Sequence, residues 1–203
     1  MTPTRPTAAR DDHGFSLIEV VIAVALLLFI TTAVYKTFDR TTKQVTGLQR
    51  LVDQESNTRN VMSGMQSELR NAFSGDESVP HITTMTATTI TFTSADRGTP
   101  LKLRRITYNL TGGTLTRTMA TTTNTYVTSP MTWTWGTTSP ARTMATGVVN
   151  TSMFAYKDDV GLDTTDPKKV RLVEVLLSVK SPKAPTNQQP ETYSTSVRMR
   201  GVG

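Results

Sequence analysis

Between Phe15 and Val34 the chain runs FSLIEVVIAVALLLFITTAV, with Glu19 as its one charged side chain. No other stretch constrains the fold as strongly. At about 1.5 Å of rise per residue, some twenty helical residues span about 30 Å, the thickness of a bilayer's hydrocarbon core. The segment is therefore expected to be a membrane helix. A secretory signal would have a shorter apolar core ending in small residues of the A-x-A kind, and this run continues through Val34 without one. Glu19 is the anomaly, because a carboxylate at a membrane-helix centre costs about 2.5–3.5 kcal/mol on insertion scales. Near the start of the run it can sit at headgroup level, solvated and favoured by the positive end of the helix dipole.

The preceding residues, MTPTRPTAARDDHG (1–14), are polar and include Pro3 and Pro6. They cannot build a core and read as a processed leader or a tail. Beyond the apolar run about 165 residues remain, enough for one domain with a single core. The formal charge is +6, from 22 basic and 16 acidic residues. The excess is scattered and forms no dense Lys/Arg tract, so specific nucleic-acid binding is not expected. There is no cysteine, which excludes thiol catalysis, thiolate metal sites and disulfides.

Helical periodicity continues past the membrane edge. Phe38, Val45, Leu48, Val52, Met62, Met65, Leu69 and Phe73 recur mostly at spacings of three, four or seven, with Lys43, Gln44, Arg50, Asp53, Arg59 and Glu68 between them. No proline occurs from Phe15 through Val79, so nothing forces a break. Gly47 and Gly64 are weak points, each costing about 1 kcal/mol relative to alanine. One helix of about 88 Å is expected, running to about Phe73 and stopped at Ser74-Gly75. Its stripe is expected to be core, holding the helix against a sheet.

Past Pro80 the period becomes two. ITTMTATTITFTS (82–94) and LKLRRITYNL (101–110) alternate, and Gly112-Gly113 turns the second into TLTRTMATTT (114–123) as a hairpin. TYVTSPMTWTW (125–135), VVNTSMFAYKDD (148–159), VRLVEVLLSVK (170–180) and YSTSVRMR (193–200) complete six or seven strands. Of the 40 threonines, 25 lie between Thr83 and Thr151, and a β-branched residue with a polar tip suits strands wet on one face. A long helix followed by a meander gives the fold class α+β. The domain boundaries expected are a leader over 1–14, a membrane helix over 15–35, its amphipathic continuation over 36–74, and a β-rich globular domain over 75–203.

Candidate chemistry is sparse. His13 and His81 are the two histidines, and no G-x-S-x-G, H-E-x-x-H or P-loop occurs. The chain is read as no enzyme, with no cofactor. Asp158, Asp159, Asp163 and Asp166 crowd one loop, KDDVGLDTTDPKK. They could supply oxygen ligands to Ca²⁺, but the spacing matches no EF-hand and Lys157, Lys168 and Lys169 compensate their charge. A solvated turn is the simpler reading. Alternation in MTWTW puts Met131, Trp133 and Trp135 on one face, either core or an exposed ridge.

GFSLIEVVIAVALLL resembles the class III signal of the type IV pilin and pseudopilin superfamily, at Gly14, Phe15, Ser16, Leu17, Ile18, Glu19 and Val20. The resemblance implies cleavage between Gly14 and Phe15 by a prepilin peptidase, N-methylation of Phe15, and an assembly contact from Glu19 of one subunit to the Phe15 amine of the next. One departure is that the leader ends Asp11-Asp12-His13, where the family has Lys or Arg before the glycine. The remainder is similar to W-type minor pilins and J-type pseudopilins. The similarity lies at Arg59 and Glu68-Leu69-Arg70, at Tyr108, Leu110, Leu115 and Arg117, at Phe154, Tyr156, Asp158 and Gly161, and at SVRMR (196–200). It implies a pilin-like fold and a minor pilin of a type IV pilus priming or tip complex. Alternatives are a J-type pseudopilin of a type II secretion system and a membrane-tethered binding domain that never polymerises. The partners implied are other pilin and minor pilin subunits through the N-terminal helix, the prepilin peptidase, an inner-membrane assembly platform and a tip adhesin. Before assembly the chain would be a single-pass inner-membrane protein with a periplasmic domain, and afterwards part of a surface filament serving adhesion, twitching motility or secretion.

Overall fold

Ser16 opens the helix. Its hydroxyl and its carbonyl both accept the Glu19 N–H, at 3.2 and 3.0 Å, the cap favoured by a serine placed three residues before a glutamate. The computed structural model describes residues 16–75, 79–96, 98, 101–124, 133–181 and 187–199. Helix α1 spans Leu17–Arg70. Eight strands follow: β1 (Ile82–Met85), β2 (Thr89–Asp96), β3 (Lys102–Thr111), β4 (Thr114–Thr121), β5 (Arg142–Thr146), β6 (Phe154–Lys157), β7 (Leu172–Val179) and β8 (Glu191–Arg198). The first five form an antiparallel meander in sequence order, and the last three form a second antiparallel sheet. The architecture is α+β, as expected from the change of period.

The chain divides into two compact units, one ending at Arg50 and one beginning at Leu51. In the first, every residue from Ser16 to Gly47 is exposed. The second contains the last turns of α1 and all eight strands. Val61, Met62, Met65 and Leu69 of the helix are buried there with Ile90, Phe92, Ile106, Tyr108 and Leu115 of the first sheet and Val173, Val175 and Leu177 of the second. Burying each such side chain is worth about 1.5–3 kcal/mol. That is the physical reason these last helical turns and both sheets form one core. The sheets are also tied by backbone. Val148 donates to Gly113 at 3.0 Å and bridges Val179, while Ala87 accepts from Met153 and Phe154 at 2.7 and 3.0 Å.

The apolar stripe divides. Met62, Met65 and Leu69 are core as expected, but Phe38, Val45 and Val52 are 73%, 54% and 63% exposed. Heptad spacing continues through these exposed residues, so periodicity alone overstates the packing. The helix stops nearly where expected. After Arg70, the Phe73 N–H leaves the helix for the carbonyl of Thr93 at 2.8 Å and Ala72 bridges Ser94. Gly75 then adopts φ +81° with the Trp133 ring 2.9 Å from where a Cβ would lie, a place open to glycine alone.

Strand limits differ from those expected, and of the segment 148–159 only the four residues of β6 are strand. Residues 82–94 form two strands, because Thr86 closes a turn: its hydroxyl accepts the Thr89 N–H at 2.8 Å and its own N–H donates to Thr89 at 2.9 Å. Threonine favours strands and also makes such turns, so composition concealed the break. Strand β5, RTMAT, is too short for its alternation to register. Of the segment 125–135, residues 125–132 lie outside the described residues, and Trp135 makes a single bridge to Thr122.

Candidate functional site

Gly14 and Phe15, the expected cleavage and methylation residues, lie outside the described residues. Glu19 lies in the first turn of α1, the end of a helix where the dipole favours a negative charge. From there the helix presents Leu26, Leu27, Leu28, Phe29 and Ile30 at 58–75% exposure. It contains a window long and apolar enough to cross a membrane, and none of that window is buried by the chain. The two threonine hydroxyls inside the span are satisfied locally. Thr31 and Thr32 donate to the carbonyls of Leu27 and Leu28 at 2.7 and 2.8 Å. Hydrogen-bonding back to residue i−4 leaves no bare donor for lipid. Thr37, Thr41, Thr42 and Thr46 repeat the pattern at 2.8–3.0 Å.

Beyond the span, Phe38, Val45 and Val52 stand seven residues apart, all exposed. A seven-residue apolar repeat aligns side chains in a seam that suits another helix. Arg59 lies over the Tyr193 ring at 5.6 Å and Asn57 donates to the carbonyl of Met144 at 3.1 Å. From here on, the helix face is engaged by its own domain.

Residues 9–35 match the prokaryotic N-terminal methylation motif. The chain thus carries a prepilin-type methylation motif, which covers Gly14, Phe15, Glu19 and the apolar run. The match supports a type IV pilin-like amino terminus of the kind a prepilin peptidase processes. It ends at Tyr35, before the amphipathic part of α1 and the sheets. No curated protein matches the chain.

The motif's apolar run and the β-sheet unit contrast in their polar chemistry. Glu68, near the end of α1, accepts the Tyr108 hydroxyl at 2.6 Å and the Arg117 guanidinium at 2.7 and 3.1 Å. The pair is about four-fifths buried, with side-chain exposures of 18% for Arg117 and 25% for Glu68. Burial, then the charge of Glu68, pushes the Tyr108 hydroxyl well above the usual tyrosine range. Burial also raises Tyr156, whose hydroxyl donates to the carbonyl of Thr86 at 2.9 Å. These contacts are joints between elements. The resemblance singled out Glu68, Tyr108 and Arg117, but their pairing was missed. The signal lay in the hairpin: a two-residue turn at Gly112-Gly113 places Tyr108 opposite Arg117.

The aspartate loop turns its oxygens on itself. Asp158 accepts the N–H groups of Val160 and Leu162 at 3.1 and 2.8 Å, Asp163 pairs with Lys157 at 3.2 Å, and Asp166 accepts the Lys168 N–H at 3.0 Å. Asp159 is exposed in the same turn. Among the described residues, no three acidic or histidine side chains gather as a metal site. His81 is buried against the Ser74 hydroxyl at 2.8 Å. Trp133 and Trp135 are half-buried and stand outside the main core, the first against Gly75 and the second over Arg105 at 4.6 Å. Met131 lies outside the described residues.

Proposed function

We propose that the chain is a minor pilin, a non-catalytic subunit that joins the priming or tip complex of a type IV pilus after cleavage between Gly14 and Phe15 and methylation of Phe15. The observation that carries this reading is the methylation motif at the head of a helix whose residues 16–47 are all exposed. A surface that apolar needs a cover. Lipid supplies it before assembly, and neighbouring helices replace lipid during extraction into a filament, with the Phe38–Val45–Val52 seam continuing the contact outside the membrane. Removal of the leader leaves a cationic amine on Phe15. Glu19 of one subunit pairs with that amine on the next, exchanging two uncompensated charges in low dielectric for one hydrogen-bonded pair. Other pilin subunits, the prepilin peptidase, an inner-membrane assembly platform and a tip adhesin are the partners, and the domain from residue 75 onward faces the periplasm and then the surface.

The test is Glu19→Ala. Removing one member of a buried pair costs about 3–5 kcal/mol, so incorporation into sheared filaments should fall by about two orders of magnitude or more. Leader cleavage, read by mass, should continue. A Glu19→Ala chain that is processed and works normally, with neither it nor the parent chain present in sheared filaments, would leave a membrane-tethered domain as the better reading. Gly14→Ala should block the mass change on maturation. An unchanged mature mass and unchanged function in that variant would remove the processing signal from the account.

A further inference from the structure

The outer face of the first sheet differs from that of the second. Alternation turns Ile90, Phe92, Ile106, Tyr108 and Leu115 to the core, so the residues between them face away. Register sets these into two rows, Thr91–Thr107–Thr118 and Thr89–Asn109–Thr116. On this face of β2, β3 and β4, Arg105 is the one charged side chain among the described residues, and the Trp135 ring lies over it at 4.6 Å. The outer face of the second sheet has the ordinary mixture, with Lys157, Glu174 and Arg198. In a chain of 22 basic and 16 acidic residues, an uncharged patch of this extent is a specific composition.

The rows are held rigid. The Thr91 and Thr107 hydroxyls are 3.0 Å apart, Thr89 donates to Asn109 Oδ1 at 2.8 Å, and Asn109 Nδ2 donates to the Thr111 hydroxyl at 3.1 Å. Fixed side chains lose little freedom on binding. Each hydroxyl both donates and accepts, and each lies beside a methyl group. The repeat is about 6.7 Å along a strand and about 4.8 Å between strands.

We propose that this face binds a neutral, hydroxyl-rich polysaccharide, with Trp135 stacking on a sugar ring and the threonine and asparagine rows bonding its hydroxyls. A sugar polymer offers the same alternation of C–H surface and hydroxyl edge that the threonines present. With Arg105 as its one charged side chain among the described residues, already stacked on the Trp135 ring, the face offers a highly charged ligand little counter-charge to offset its desolvation. Repeated weak contacts between a repeating surface and a repeating polymer sum to useful avidity. The proposal does not depend on filament assembly, because the face lies in the unit that begins at Leu51.

The test uses the full chain in detergent micelles, sedimented with insoluble cellulose, chitin or starch. Retention on at least one of the three is expected, and it should survive about 1 M salt, where charge attraction is screened. Thr107→Lys with Thr118→Lys should lower retention at least about tenfold, as should Trp135→Ala, while Ser194→Lys on the second sheet should leave it unchanged. Thermal melts show which variants remain folded, and Trp135→Ala carries the test where the lysine pair melts early. No retention on any of the three polymers, loss of retention in salt, or an equal loss in Ser194→Lys would overturn the proposal.

Discussion

Replacing Glu68 by alanine tests how the end of α1 is fixed to the first sheet. The carboxylate accepts three hydrogen bonds, from the Tyr108 hydroxyl at 2.6 Å and from Arg117 at 2.7 and 3.1 Å. Fully exposed ion pairs contribute about 0–1 kcal/mol, whereas removing one partner of a fully buried pair costs about 3–5 kcal/mol. Side-chain exposures of 18% and 25% place this pair between those limits, nearer the buried one. The expected loss is about 2–3 kcal/mol. For a protein of this size that lowers Tm by about 5–10 °C.

A double-mutant cycle isolates the pair from the general cost of truncation. Glu68→Ala leaves Arg117 buried without its acceptor, and Arg117→Ala leaves Glu68 without its donor. The double variant strands neither charge, so it should be more stable than the sum of the single losses predicts, by about 1–2 kcal/mol. Thermal melts followed by circular dichroism on the full chain in micelles measure all four corners. Additive losses, or single losses below about 0.5 kcal/mol, would refute the claim that this contact fixes the helix to the sheet.

Three further outcomes are expected. Leu69→Ala, at a fully buried position, should destabilise by about 2–5 kcal/mol, while Val45→Ala should leave the melt within about 0.5 kcal/mol and instead reduce filament incorporation. At the β3–β4 turn, Gly112→Ala should cost about 1–2 kcal/mol for its φ of +57°, whereas Gly113→Ala should cost more because its Cβ would meet the Val148 carbonyl at 3.0 Å; melts of the two variants rank them. Tyr108 and Tyr156 have folded pKa values raised above the unfolded value of about 10, so the folded state holds protons that the unfolded state releases. Stability should therefore be unaffected below about pH 10 and fall above it by about 1.4 kcal/mol per pH unit for each tyrosine, with their tyrosinate absorbance appearing together with unfolding.

Much of the fold was legible because two periods govern it. Apolar spacing of three and four gave α1, and the Gly112-Gly113 turn between alternating runs fixed the β3–β4 register. What was hidden had physical causes. Threonine at 86 makes a turn from the residue type that elsewhere makes strand, so β1 and β2 merged. The Phe38–Val45–Val52 spacing is indistinguishable from a core stripe until the exposure of these side chains is seen. At the candidate site, the Gly14–Phe15–Glu19 pattern and the apolar run are local and could be read directly. The Glu68–Tyr108–Arg117 contact joins residues 40 and 49 positions apart, and only tertiary packing brings α1 to that hairpin.

The two parts of α1 therefore draw their stability from different sources. From Thr58 onward, helix formation is supported by the chain's own core. Before Val52 the exposed helix carries Thr31, Thr32, Thr37, Thr41, Thr42, Thr46 and Gly47, residues of modest helix propensity. Their hydroxyls are satisfied within the helix, so the segment tolerates lipid, and its residues from Ser16 to Gly47 are exposed. On the proposed reading its helicity depends on what surrounds it, lipid first and neighbouring helices later. A thermal melt of the domain consequently cannot register a change at Glu19 or Val45, and an assembly assay must register both. A variant silent in the first measurement and defective in the second identifies a contact made between chains, because the only partner lost is one the single chain never contained.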